Sequence, residues 1–226
     1  MKQFITRKAM RIVAGVALAG ALLTALALVA EHGKRESAME HEALPYYSSA
    51  DLWPRWDWLS RQHDVGRFAL VDQNGQAFDQ SVLDRGPTVV SFFFTACVTV
   101  CPISIDMLKG AQARMAAKHP GAAPAFLSIS VSPLTDDPAA LRKYAHSVQL
   151  APAWRLATGD PAKVVALAQR GLFSDIATVG PDGLPTHLTR ALLIDRQHRV
   201  RGIYDAAMPT EIIRLQHDVA RLADEA

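Results

Sequence analysis

The first strongly apolar run in the chain, Ile12 to Ala30, holds 19 residues without a charge. At ~1.5 Å per residue it reaches roughly 28 Å, about the thickness of a bilayer's hydrocarbon core. Lys2, Arg7, Lys8 and Arg11 precede it with no acid, while Glu31, Glu36, Glu40 and Glu42 follow among fewer bases. Positive charge on the N-terminal side predicts a cytoplasmic segment 1–11, a transmembrane anchor at 12–30, and the remainder outside the cytoplasm. The expectation for a bacterial cell is a single-pass inner-membrane protein with its C-terminal domain in the periplasm. A cleaved signal peptide is the competing reading, with Ala25, Ala27 and Ala30 as small residues for the cleavage site. The run is longer than the ~7–15 residues of an ordinary signal core, which favours the anchor.

Beyond the anchor the pattern changes twice. Residues 31–66 read as a polar linker that becomes a Trp-rich lead-in, with Trp53, Trp56 and Trp58 expected to pack against the edge of the domain. From residue 67 to 226 apolar strands alternate with helical stretches. Phe68 to Asp72, then Gln73-Asn74-Gly75, then Gln76 to Phe78 predict a β-hairpin, since Asn-Gly favours a type I′ turn. Thr88 to Thr95 and Pro124 to Val131 read as strands buried on both faces. Pro102 opens a helix to about Lys118, and Asp137-Pro138 and Asp160-Pro161 each pair a capping acid with proline at the first helical position. A short strand at Trp154 to Ala157, strands at Leu188 to Ile194 and Val200 to Tyr204, and a helix from Pro209 complete the order. This alternation predicts an α/β domain of thioredoxin-like type, a central mixed β-sheet flanked by helices.

Composition adds bounds. Of 226 residues half are hydrophobic and a fifth charged, and the net charge is +2. Bases are not clustered among aromatics, so no nucleic-acid footprint is present. The chemistry concentrates in two cysteines, Cys97 and Cys101, directly after a buried strand and directly before a helix. Cys101 is expected at the cap position before Pro102, where the helix dipole favours thiolate, with Cys97 in reach of the same point. Two such sulfurs can share one soft cation or close to a disulfide, and spacing alone permits both. A purely structural disulfide would close a very small loop and stabilise little. Of eight histidines, seven read as solvated or satisfied. His187 ends a Pro/Gly-rich loop and begins the strand leading to Asp195, beside the cysteine-bearing strand. Two thiolates and an imidazole would suit copper as Cu(I) or Cu(II).

The residues Phe92 to Pro102, the run Ser128 to Pro133 followed by Asp136-Asp137-Pro138, and His187 ahead of Leu192-Leu193-Ile194-Asp195 together resemble the SCO/SenC family. Members are membrane-tethered, thioredoxin-fold copper chaperones for cytochrome c oxidase assembly. The likeness runs from about Phe68 to the C-terminus. It implies Cys97, Cys101 and His187 as copper ligands, the copper-binding subunit of cytochrome c oxidase (a CuA-type site) as recipient, and an upstream copper donor protein. Two departures stand out. The family commonly has Asp where this chain has Ser132, and it often places Pro and an acid where this chain has Val98-Thr99-Val100.

An exported thiol–disulfide oxidoreductase is the alternative from another class, with Cys97 and Cys101 as the catalytic pair. Ordinary members carry Cys-x-x-Cys and a facing cis-proline six residues before the strand-ending aspartate. That position here is Thr189. A peroxidase reading fares worse, because Thr95 lies only two residues before Cys97 and no Thr-x-x-Cys arrangement exists.

Overall fold

The computed structural model describes residues 24, 43–48, 51–118, 123–176 and 189–225. The expected anchor at 12–30 lies, apart from Thr24, outside the described residues, as does His187. Among the described residues no helix is long and apolar enough to cross a membrane. Leu44–Ala226 forms one compact unit, so the folded region takes in much of the expected lead-in.

The strands are β1 (Ala69–Asp72), β2 (Ala77–Asp79), β3 (Thr88–Phe93), β4 (Ala125–Ser130), β5 (Arg155–Thr158), β6 (Arg190–Ile194) and β7 (Val200–Asp205). The helices are α1 (Val100–Lys118), α2 (Pro138–Ser147), α3 (Pro161–Ala166) and α4 (Pro209–Asp224). One mixed sheet runs in the order β2-β1-β5-β4-β3-β6-β7. The central strands β5, β4 and β3 are parallel, and β1, β6 and β7 are added antiparallel to their neighbours. β3 is buried along its whole length, as its unbroken apolar run requires. The expected α/β thioredoxin-like architecture with helices flanking a mixed sheet is therefore observed.

Local chemistry explains the helix starts. Asp137 accepts from the Ala140 N–H at 2.7 Å and Asp160 from the Lys163 N–H at 3.0 Å, each with proline next in sequence where a missing N–H costs nothing. The first hairpin differs from expectation. Its loop is Gln73-Asn74-Gly75, and only Gly75 has positive φ (+78°). Asp72 Oδ1 accepts from the N–H groups of Asn74 and Gln76, giving a three-residue loop with glycine in the left-handed position rather than a type I′ turn.

The lead-in also differs. Trp53 and Trp58 stand about two-thirds exposed. The lead-in packs on the domain through Leu44, Tyr46 and Tyr47 instead, all buried. Tyr46 is held by the guanidinium groups of Arg61, Arg199 and Arg201, at 4.2 to 5.2 Å from its ring centre. Tyr47 bridges to Val200 on β7. His63 and His198 are satisfied partners as the sequence suggested: His63 lies against Phe173 and the Gly171 carbonyl, and His198 against Asp84.

Candidate metal centre

The thiols sit at the edge of the sheet where β3 and β4 end. β3 delivers the chain to Thr95-Ala96-Cys97, and a turn closed by the Cys97 N–H on the Phe94 carbonyl at 3.2 Å folds it toward α1. Helix α1 begins at Val100, before Pro102, so Cys101 lies inside its first turn rather than at the cap. The acceptor role of a cap is instead taken by the sulfur of Cys97, from the turn that precedes the helix. The Cys101 N–H donates to Cys97 Sγ at 3.4 Å, and the Thr99 N–H adds to it. Pro102 sits third in the helix, among the first four residues whose N–H groups have no intrahelical partner, and so interrupts no bond.

Both cysteines carry free thiols here and are buried, 5% and 1% exposed, yet their acidities diverge. Burial opposes charge on Cys97. Hydrogen bonds from the Cys101 thiol and from the N–H groups of Thr99 and Cys101 outweigh it and hold the Cys97 thiol below the ordinary value. Burial, and then donation to Cys97, push Cys101 up to about 12. The pair is thus split, the Cys97 thiol more acidic than an ordinary cysteine and the Cys101 thiol less.

Two residues outside the sequence-predicted set complete the site. Asp136 is 1% exposed and accepts from the Thr95 N–H (3.0 Å), the Thr95 hydroxyl (2.6 Å) and the Ser130 hydroxyl (2.5 Å). It pins the loop that carries Cys97 to the end of β4. Its signal was present in Asp136-Asp137-Pro138, where two acids precede one proline and only one can cap the helix. Tyr144, on α2, stacks on Phe93 at 5.2 Å, and its buried hydroxyl has no hydrogen-bond partner. Burial, then the nearby charges of Cys101 and Cys97, push it up to about 12.

Ser132, at the family's aspartate position, bonds within its own loop to Ser130 and Thr135. The described residues contain no cis peptide, and Thr189 accepts from the Ala206 N–H at 2.6 Å. Ser91 pairs with Ala191 across β3 and β6, so β6 starts at the edge where β3 ends. His187 precedes β6 by three residues and lies outside the described residues. Among the described residues no three His, Cys, Asp or Glu side chains gather in one cluster. Two converging sulfurs on a pinned loop fit a soft, low-coordinate metal ion or a dithiol–disulfide couple.

The SCO1/SenC family model matches residues 58–224. The SCO2-like protein of Rickettsia conorii is 32% identical over 79 residues, which are 35% of this chain and 38% of that protein. The chain thus spans well under half the length of the curated relatives of this kind that it matches. Among solved structures, a SCO1/SenC family lipoprotein from Bacillus anthracis is 27% identical with a TM-score of 0.64, covering 71% of this chain and 95% of that one. Bradyrhizobium japonicum ScoI, solved with copper bound, is 27% identical with a TM-score of 0.53, covering 70% and 98% respectively. Since the family match spans all seven strands, the thiol loop and the four helices around them, this chain belongs to the SCO1/SenC family.

Proposed function

We propose that this protein is a membrane-anchored, exported copper chaperone that carries copper to the copper-binding subunit of cytochrome c oxidase during assembly. Cys97, Cys101 and His187 hold the ion, and an upstream donor protein supplies it. The observation that carries this reading is the sulfur pair: Cys97 Sγ is held at the start of α1, within hydrogen-bond reach of the Cys101 thiol. A cation arriving there displaces one proton from Cys101 and meets a sulfur already disposed to charge. The copper held by the Bradyrhizobium relative supports the choice of metal. His187 is chosen for its sequence position ahead of β6, whose start shares the edge with the thiols. Residues 12–30 supply the anchor, and the lipoprotein character of the Bacillus relative agrees with a membrane-attached family.

His187→Ala tests the ligand set. Disulfide cycling of Cys97 and Cys101 needs only the sulfurs and is expected to continue. Cu(II) binding, which depends more on nitrogen, is expected to be lost together with oxidase assembly in cells lacking the native protein. Full support of assembly by this variant would remove His187 from the site.

One observation favours a second reading, exported thiol–disulfide oxidoreductase. The split between a Cys97 thiol held low and a Cys101 thiol pushed up to about 12 is the division of labour between an attacking and a resolving cysteine. The same two sulfurs can reduce a partner's cysteines before copper is passed to them.

A further inference from the structure

Four large apolar side chains emerge at the edge that carries the thiols, each from a different segment. Val98, in the loop between the cysteines, is 87% exposed, and Leu134, in the loop from β4 to α2, is also 87% exposed. Ile103 in the first turn of α1 and Met208 just after β7 are each half exposed. Topology brings them together. β4 is parallel to β3 and β7 runs in the same sense, so the segments after all three leave from one edge. Asp136 ties the Leu134 loop to Thr95, two residues before Cys97.

From this convergence, and on the reading of Cys97 and Cys101 as the exchanging sulfurs, we infer that Val98, Leu134, Ile103 and Met208 form an apolar docking rim for a protein that presents its cysteine pair on an apolar, uncharged loop. The occupant follows from the burial of the target. A sulfur that bonds to Cys97 must approach to roughly 2 Å, and Cys97 is only 5% exposed beside the fully projecting Val98. A partner protein whose thiol reaches it comes against the neighbouring Val98. Between the cysteines this chain has Val98-Thr99-Val100, without a charge. An apolar surface seated on these four side chains gains by burial, whereas a charged one loses its hydration.

The step itself is balanced within the two pairs. The Cys97 thiolate attacks an acceptor disulfide, a mixed disulfide forms and one acceptor thiolate leaves. Cys101 then displaces the second acceptor sulfur and gives up its proton. The acceptor ends as two thiols and this chain as the Cys97–Cys101 disulfide.

The test is the double variant Val98→Gln, Leu134→Gln in the full chain. Both side chains project into solvent and both replacements are neutral, so neither the fold nor the charge beside Cys97 changes. The reduced protein is mixed with the oxidised copper-binding domain of a cytochrome c oxidase subunit and, separately, with oxidised glutathione. The variant is expected to reduce the domain about tenfold more slowly than wild type and glutathione disulfide within twofold of it. Equal rates on the domain would overturn the rim, as would a parallel loss on both substrates, which would assign the defect to the thiols. Wild type that reduces glutathione disulfide but not the domain would overturn the choice of partner. Cu(I) binding is measured on the same samples. Its absence in wild type would remove the chaperone reading and leave the exchange result standing, because exchange needs only sulfur.

Discussion

At the end of the sheet where β6 turns into β7, Asp195 accepts from the N–H groups of Gln197 and Arg199 and from the guanidinium groups of Arg199 and Arg201. Arg201, 3% exposed, also donates to the Leu44 carbonyl and to Glu225, so one buried cation fastens the lead-in, the sheet and the end of α4. At the opposite end β3 delivers Cys97 and Cys101 into an equally buried place, where Thr95 and Ser130 satisfy Asp136 but not every polar group is paired. There the Tyr144 and Ser104 hydroxyls lack partners, and one thiol is kept protonated by burial. Saturated polar groups make the first end hard to change. The second end has been left with unspent hydrogen-bonding and ligating capacity, and that is where a soft ion or a partner sulfur has something to gain. A groove of about 1040 Å³ opens at the saturated end beside Tyr46, Arg199 and Arg201, away from the chemistry.

The contrast breaks most visibly at Arg201. Arg201→Met leaves Glu225 and the Leu44 carbonyl without their donor and Asp195 with Arg199 as its remaining guanidinium, and is expected to cost about 3 kcal/mol. Denaturant unfolding measures this, and copper binding by the folded fraction is expected to stay unchanged. At the thiol end, Asp136→Asn places an amide against three donors. A loss of about 2 kcal/mol is expected. Copper affinity is expected to fall as well, because the Cys97 loop is no longer pinned. An Asp136→Asn protein with wild-type copper affinity would show that the pinning serves stability alone.

The acidity of the thiols sharpens the comparison through pH. Cys101 is raised in the fold, so its stabilising contribution is complete below the ordinary thiol value of 9.0 and declines as pH rises toward about 12, the unfolded thiol ionising first. Wild type is therefore expected to lose stability relative to Cys101→Ser above pH 9. Cys97 is lowered and acts in the opposite sense, contributing above the ordinary range and losing that contribution as pH falls through its folded value. Alkylation by iodoacetamide is expected to modify Cys97 first, with a midpoint below 9.0. The smallest effect belongs to the lead-in: Trp53→Ser and Trp58→Ser, at exposed positions, are expected to change unfolding by less than about 0.5 kcal/mol.

What could be read in the sequence follows the range of the interaction. Asp137-Pro138 and Asp160-Pro161 announced their helices because a cap acts over three residues. The order of strands was legible because buried parallel strands are continuously apolar. The roles of Asp136, 41 residues from its partner Thr95, and of Arg201, 157 residues from Leu44, depend on contacts the fold creates. The exposure of the tryptophans was missed for the same reason, since which lead-in residues pack, here Leu44 and Tyr46, depends on contacts the fold creates. The exchange of parts between Cys97 and Cys101 turned on the helix starting at Val100, two residues before the proline that seemed to mark it.

The central claim is that Cys97 and Cys101 together hold the cargo. Titration of the fully reduced protein with Cu(I) under anaerobic conditions, read by X-ray absorption and repeated with Cys97→Ser and Cys101→Ser, tests it directly. One copper per chain bound by two sulfurs, with retention severely weakened in each variant, is the predicted result. Cu(I) affinity unchanged from wild type in both variants would contradict it.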